Sequence, residues 1–190
     1  MQIKFLAPAA VTGLLLSGAV GVAPAAAQQP AISVNDSSFI QSAASMGLLQ
    51  AKLGQLAEKK ASAASVKEFG KRMVADYSKA NQELAAAAKQ AAFPAPVMLR
   101  QHKLIAERFV GMGKGSFDKN YMAEVVRQHD EQVRLFKQES ESGKVVSLKE
   151  LATKMLPELE QRQSLAAETA AMVGADVTAS SSEKAAATSN

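Results

Sequence analysis

From position 36 onward apolar side chains return every three to four residues, and no stretch alternates strictly between apolar and polar, so the chain reads as helical. A first helix is predicted over 37–61, capped by Asp36 or Ser37, with an inward stripe of Phe39, Ala43, Met46, Leu53, Leu56 and Ala57. Ser65 and Glu68 have the spacing of a capping box, in which hydroxyl and carboxylate each satisfy an orphan backbone N–H, and they open a second helix that runs to about 92. Its stripe is Val66, Phe69, Met73, Ala80, Leu84 and Ala88, and Pro94 and Pro96 end it. A shorter third helix is expected over 97–110, with Leu99, Ile105, Ala106 and Phe109 inward. A glycine-punctuated turn leads to a fourth over 116–142, striped by Phe117, Tyr121, Val125, Val133 and Phe136 and stopped at Gly143. Ser147 and Glu150 form a second capping box for a fifth helix, whose stripe is Leu148, Leu151, Met155, Leu159, Ala166 and Val173 before Gly174. Pro157 inside it removes one backbone donor and predicts a kink.

Four long helices with short connections fold most simply as an all-α, up-and-down four-helix bundle with a shorter additional helix, over 36–174. A coiled-coil rod is the alternative, and five separately capped segments argue against it. Residues 28–35 read as an N-terminal linker and 175–190, with no apolar period, as a disordered tail. Residues 1–27 have the grammar of a secretory signal peptide: Lys4, an apolar stretch from Val11 to Val22, and Ala25-Ala26-Ala27 before Gln28. An uncleaved anchor is the other reading of this segment. Glycines and prolines interrupt the stretch too often for a comfortable membrane span, so the mature protein is not expected to be membrane-spanning. Periplasmic location, or outright secretion, follows.

Composition narrows the chemistry. The chain contains no cysteine, which excludes disulfides, thiolate metal sites and thiol nucleophiles. Leu16-Ser17-Gly18 begins like a lipoprotein cleavage box, but Ala19 stands where the acylated cysteine must be. The net charge of +4 is unevenly spread: residues 52–114 hold 12 basic and 5 acidic side chains, residues 115–174 hold 8 and 10. Lys59, Lys60, Lys67, Lys71 and Arg72, with Lys79 beyond them, cluster near the first interhelical turn and form a candidate patch for an anionic envelope surface. Ordinary solvated faces that pair between the two halves account for the same charges. Nucleic acid is not an expected partner, because few aromatics accompany those lysines.

The polar residues that interrupt the apolar stripes are the most informative. Gln50 lies within the first stripe, Tyr77 within the second, His129 within the fourth and Arg162 within the fifth, each near the middle of its helix. Bundles build cofactor and metal sites from such positions, although polar core residues also serve only to fix register. As metal ligands the four are a poor set. Gln50 offers a neutral amide, Tyr77 must first lose its proton, and Arg162 has no lone pair and keeps its charge. A buried Arg162 needs an anion, and Asp76 and Glu158 are the candidates.

Asp36 and Phe39, Val66-Lys67, Met73-Val74-Ala75-Asp76, Phe117-Asp118-Lys119-Asn120-Tyr121 with His129, and Leu156-Pro157-Glu158-Leu159 together resemble the bacterial family catalogued as domain of unknown function 4142, a ferritin-like family. The resemblance covers about 36–173. In that pattern a glutamate stands on the first helix and histidines at three further central positions, which implies a metal site. Gln50, Tyr77, His129 and Arg162 occupy those four positions here, so only His129 keeps the residue type.

Other signals are bland. Gly111-Met112-Gly113-Lys114-Gly115-Ser116 lacks the Walker order and follows a helix, so it reads as a flexible connection. His102 reads as a packing residue. No catalytic residues and no cofactor are predicted. Two function classes remain open: a non-enzymatic binding or structural component of the envelope with a degenerate metal site, or a metal-binding or redox protein using His129.

Overall fold

The computed structural model describes residues 33–177, which form five helices: α1 (Val34–Lys60), α2 (Ala64–Gln90), α3 (Arg100–Gly111), α4 (Lys114–Ser142) and α5 (Val146–Met172). The expected signal peptide 1–27, linker residues 28–32 and tail residues 178–190 lie outside the described residues. No strand occurs among those described.

Side-chain pairs give the directions. On α2 and α5, Glu83 meets Lys154 and Asp76 meets Arg162, so these helices run antiparallel. Asp36 at the start of α1 reaches the turn after α4, and Asp118 near the start of α4 reaches the turn after α1, so α1 and α4 are antiparallel too. Helix α3 runs alongside α1 in the same direction, touching Ser45 at its beginning and Lys60 at its end. Each helix therefore reverses the one before it, as the up-and-down expectation required. Helix α1 packs on α2, α4 and α3, and α5 on α4 and α2, which leaves α2 and α4 facing each other across the core diagonal.

The α1–α2 contact is close because glycines face it. A β-carbon at Gly54 would stand 2.7 Å from the Gly70 carbonyl oxygen, and one at Gly70 would stand 2.7 Å from the Ala57 β-carbon. Aromatic rings cluster toward the two ends of the bundle. Phe39 and Phe136 meet edge to face at 5.0 Å at one end, and at the other Phe117 stacks on Tyr121 at 5.5 Å with Phe69 and Phe109 edge-on.

Helix ends depart from the sequence expectation in an instructive way. Helix α1 begins at Val34, ahead of the predicted start and inside the expected linker, because Ser33 is its cap: the Ser33 Oγ accepts from the Asp36 N–H at 3.1 Å. Asp36, expected as the cap, is fully buried and caps the start of α5 instead, accepting from the Lys144 N–H at 2.8 Å and the Val145 N–H at 3.3 Å. Neither serine box forms the expected side-chain cap, and α2 and α5 start from Ala63 and Val145. The α1–α2 turn is satisfied by Asp118 of α4, whose carboxylate accepts from the Ser62 and Ala63 N–H groups at 3.0 and 2.8 Å. Two helix N-termini thus receive their negative charge from another helix, which ties secondary structure to tertiary packing. Helix α3 starts at Arg100 rather than at 97, since the Leu99 N–H is held by Ser45 Oγ at 2.7 Å. Helix α5 continues through Pro157 as one helix.

Candidate functional site

Tyr77, His129 and Arg162 meet midway between the aromatic ends. The Tyr77 hydroxyl lies 3.2 Å from His129 Nε2 across the α2–α4 diagonal and donates to Gln132 Oε1 at 2.5 Å. Their rings meet edge to face, with centroids 6.0 Å apart. The Arg162 guanidinium also lies over the Tyr77 ring, its Cζ 5.3 Å from the ring centroid, in cation–π contact. Arg162 is 5 % exposed. Its charge is answered as anticipated, by Glu158 at 2.8 Å from Nη2 and by Asp76 at 3.4 Å from Nε, while Nη1 has no protein partner.

Gln50 is buried in the same layer but not joined to the network. A β-carbon at Gly47, one turn before it, would stand 3.6 Å from the Tyr77 ring, which sets the level of Gln50 along α2. Both of its amide atoms lack a protein partner. Periodicity had missed Gln132. It is buried, whereas Val133 is only partly so: Phe117, Tyr121, Val125 and Phe136 are buried as the stripe predicts, and between the last two the buried line runs through Gln128, His129 and Gln132, positions where polar residues stand.

Burial sets the protonation of this layer. His129 is pushed down to about 4 by desolvation, although its bond to the Val125 carbonyl opposes the shift, so the ring is neutral at neutral pH. Nδ1–H donates to the Val125 oxygen at 2.8 Å, which fixes the tautomer and leaves Nε2 with the lone pair. That nitrogen is covered by the Tyr77 oxygen, 3.2 Å away, whose one proton goes to Gln132. The Tyr77 phenol is itself raised well above its ordinary value, chiefly by burial, and stays protonated.

His102 is a packing residue, as expected. Its Nδ1 is 2.6 Å from Ser45 Oγ, the distance of a nucleophile and its base, but both groups are buried and Ser45 already accepts from Leu99. The pair pins α3 to α1. Of the basic cluster, Lys60 donates to the Phe109 and Val110 carbonyls at the end of α3 and Arg72 pairs with Asp76 at 3.6 Å, while Lys59, Lys67 and Lys71 are exposed. Glu124 of α4 ties that helix to α3 through Arg108 at 2.8 Å and pairs along its own helix with Arg127 at 2.5 Å.

A family model described as Domain of unknown function (DUF4142) matches residues 21–169. The chain belongs to this family. No curated protein and no solved structure matches it. The metal site that the DUF4142 resemblance implied can be tested against the residues present, and they do not fit one. At the four central positions stand a neutral amide, a protonated phenol, an imidazole whose free nitrogen is covered, and a guanidinium that already engages the two nearby carboxylates. Among the described residues no group of three or more His, Asp or Glu could hold a metal ion.

Proposed function

We propose that this chain is an exported, periplasmic helical bundle of ferritin-like type that works in the cell envelope as a non-enzymatic binding or structural component, its central layer given over to packing instead of metal binding. The observation that carries the second half is Arg162: its guanidinium is stacked on Tyr77 and braced by Asp76 and Glu158 at the level where the family pattern places a histidine ligand. A transition-metal cation brought to this layer would meet a fixed positive charge and one covered imidazole nitrogen. Support for export comes from the signal-peptide grammar of residues 1–27.

The test is to express the full chain in a bacterium, recover it from the periplasmic fraction, and measure its N-terminus and its metal content. The expected product starts near Gln28 and carries no stoichiometric transition metal. Retention in the cytoplasm would remove the export reading. One metal per chain, lost on replacing His129 with alanine, would establish the metal-binding reading instead.

A further inference from the structure

Helix α3 buries His102, Ala106 and Phe109 against the bundle, and its outer face is not simply polar. At 100° per residue, Val110, Lys103, Glu107, Arg100 and Leu104 follow one another around that face. Leu104 and Val110 are each 54 % exposed, and Val97, just before the helix, is 60 % exposed. These three make up half of the large hydrophobics exposed among the described residues. Single apolar side chains scattered on a surface are ordinary; three within positions 97–110, flanked by cations, call for an occupant.

The charges say which occupant. Arg100, Lys103 and Lys114 are exposed around Leu104 and Val110, with Glu107 the one acid on the outer face. Lys59 adds a further exposed cation, because Lys60 beside it joins the end of α1 to the last carbonyls of α3 at 3.0 and 2.6 Å. Arg108 has another task, its pair with Glu124. The back of α3 is held firmly: Ser45 grips its start, Lys60 its end, and the Phe109 ring is fully buried beside Phe117 and Tyr121. Short aliphatic side chains among exposed cations on the outer face of a helix fit the headgroup region of an anionic bilayer better than a protein partner.

We infer that the outer face of α3 docks on an anionic lipid surface, Leu104 and Val110 entering the headgroup region while Arg100, Lys103 and Lys114 bind lipid phosphates. The contact lies on the membrane and does not cross it, since no described helix is long and apolar enough to span. This gives the envelope reading a specific face. Its failure would leave the metal-exclusion reading intact, because metal content decides that separately.

The probe is sedimentation of the mature protein with vesicles of phosphatidylcholine, alone or mixed with phosphatidylglycerol. Binding is expected only to the mixed vesicles, and it should weaken as salt rises. Reversing Arg100 and Lys103 to glutamate should weaken it by more than about tenfold, at roughly fivefold per charge, and Leu104→Ser with Val110→Ser by about tenfold. Lys67→Glu with Lys71→Glu, at the α1–α2 turn, should change it by less than about twofold. All of these side chains are exposed, and circular dichroism confirms that each variant keeps its helix content. No binding at low salt would overturn the proposal and leave a protein partner as the occupant. Equal loss in the Lys67/Lys71 variant would overturn it in favour of the first interhelical turn. Unchanged binding by the Leu104/Val110 variant would reduce the contact to charge alone and overturn it too.

Discussion

Glu139→Gln should make the protein less sensitive to alkaline pH. Glu139, on the last turns of α4, is 4 % exposed and hydrogen-bonds Asp36, which is fully buried. Asp36 is surrounded by donors: Ser33 Oγ–H and the Lys144 and Val145 N–H groups all point at its carboxylate. Together these donors outweigh its burial and lower Asp36 to about 2, so it is the member of the pair that stays ionised. Glu139 has no such donors and its Oε1 has no hydrogen-bond partner. Desolvation first, then the hydrogen bond to Asp36 and the Asp36 charge, raise Glu139 from its ordinary 4.5 to about 7, with Lys149 pulling the other way. One proton therefore resides in the pair and sits on Glu139, which donates it to Asp36.

The folded state holds this proton more tightly than the unfolded chain, so the stabilisation is complete below about pH 4.5 and is lost as pH rises toward about 7. The gap corresponds to about 3 kcal/mol. His129 acts in the opposite sense. Its folded value near 4 lies below the ordinary 6.5, so its contribution is lost as pH falls through that interval, again by about 3 kcal/mol. Between these values the two groups pull the wild-type profile in opposite directions, with His102, also lowered by burial, acting on the side of His129, so a difference measurement is what isolates Glu139. Glutamine keeps an N–H for Asp36 and cannot ionise. Urea unfolding at about pH 5 should find the variant within about 1 kcal/mol of wild type, and at about pH 8 the variant should be the more stable by about 2–3 kcal/mol. A difference that stays constant from about pH 5 to pH 8 would refute the shared-proton assignment.

Ala92 adopts a left-handed conformation, φ 53°, in a Schellman turn closed by Phe93 N–H to Ala88 O at 2.8 Å, so Ala92→Gly should raise stability by about 1 kcal/mol in thermal unfolding. Gly70→Ala should destabilise by about 1–3 kcal/mol on the same assay, since its β-carbon would have to displace Ala57 and the Gly54 carbonyl; an unchanged melting temperature would show that α1 and α2 separate freely. The combined Gln50→Glu, Tyr77→His and Arg162→His variant should acquire one tightly bound transition metal per chain by elemental analysis, whereas wild type acquires none; a folded variant that still binds none would mean that the four positions do not converge on one ion.

The helices and the inward stripes were legible because burial is periodic, and periodicity is a local property of the sequence. So were Tyr77, His129 and Arg162 as one polar layer, and Asp76 and Glu158 as the anions for Arg162. What escaped was chemistry carried between helices. The serines in S-x-x-E order looked like caps, yet Asp118 and Asp36 do that work from other helices, a relation with no fixed spacing in the chain. Glu139 escaped as well, because nothing local marks a glutamate that will meet Asp36 across the bundle end. Gln132 was hidden because the apolar Val133 beside it drew the α4 stripe to the wrong one of two adjacent positions.

The polar layer and the carboxyl pair answer the same structural need. Antiparallel helices with alanine-rich, near-uniform stripes could slide by a turn and keep most of their apolar burial, so register has to come from groups that tolerate one alignment only. Tyr77 reaches His129 across the α2–α4 diagonal and Arg162 reaches Asp76 between α5 and α2, which fixes three helices at mid-height. Asp36 and Asp118 then fix α1 against α4 at both ends, each by holding backbone N–H groups of a turn. In such an arrangement a cation at position 162 costs little, because it can keep water-facing carboxylates beside it while its plane rests on Tyr77. A metal ion would align the same helices by drawing ligands from each to one point. Once hydrogen bonds and an ion pair supply that alignment, the fold no longer depends on a ligand set, and glutamine, tyrosine and arginine at positions 50, 77 and 162 are compatible with an intact bundle.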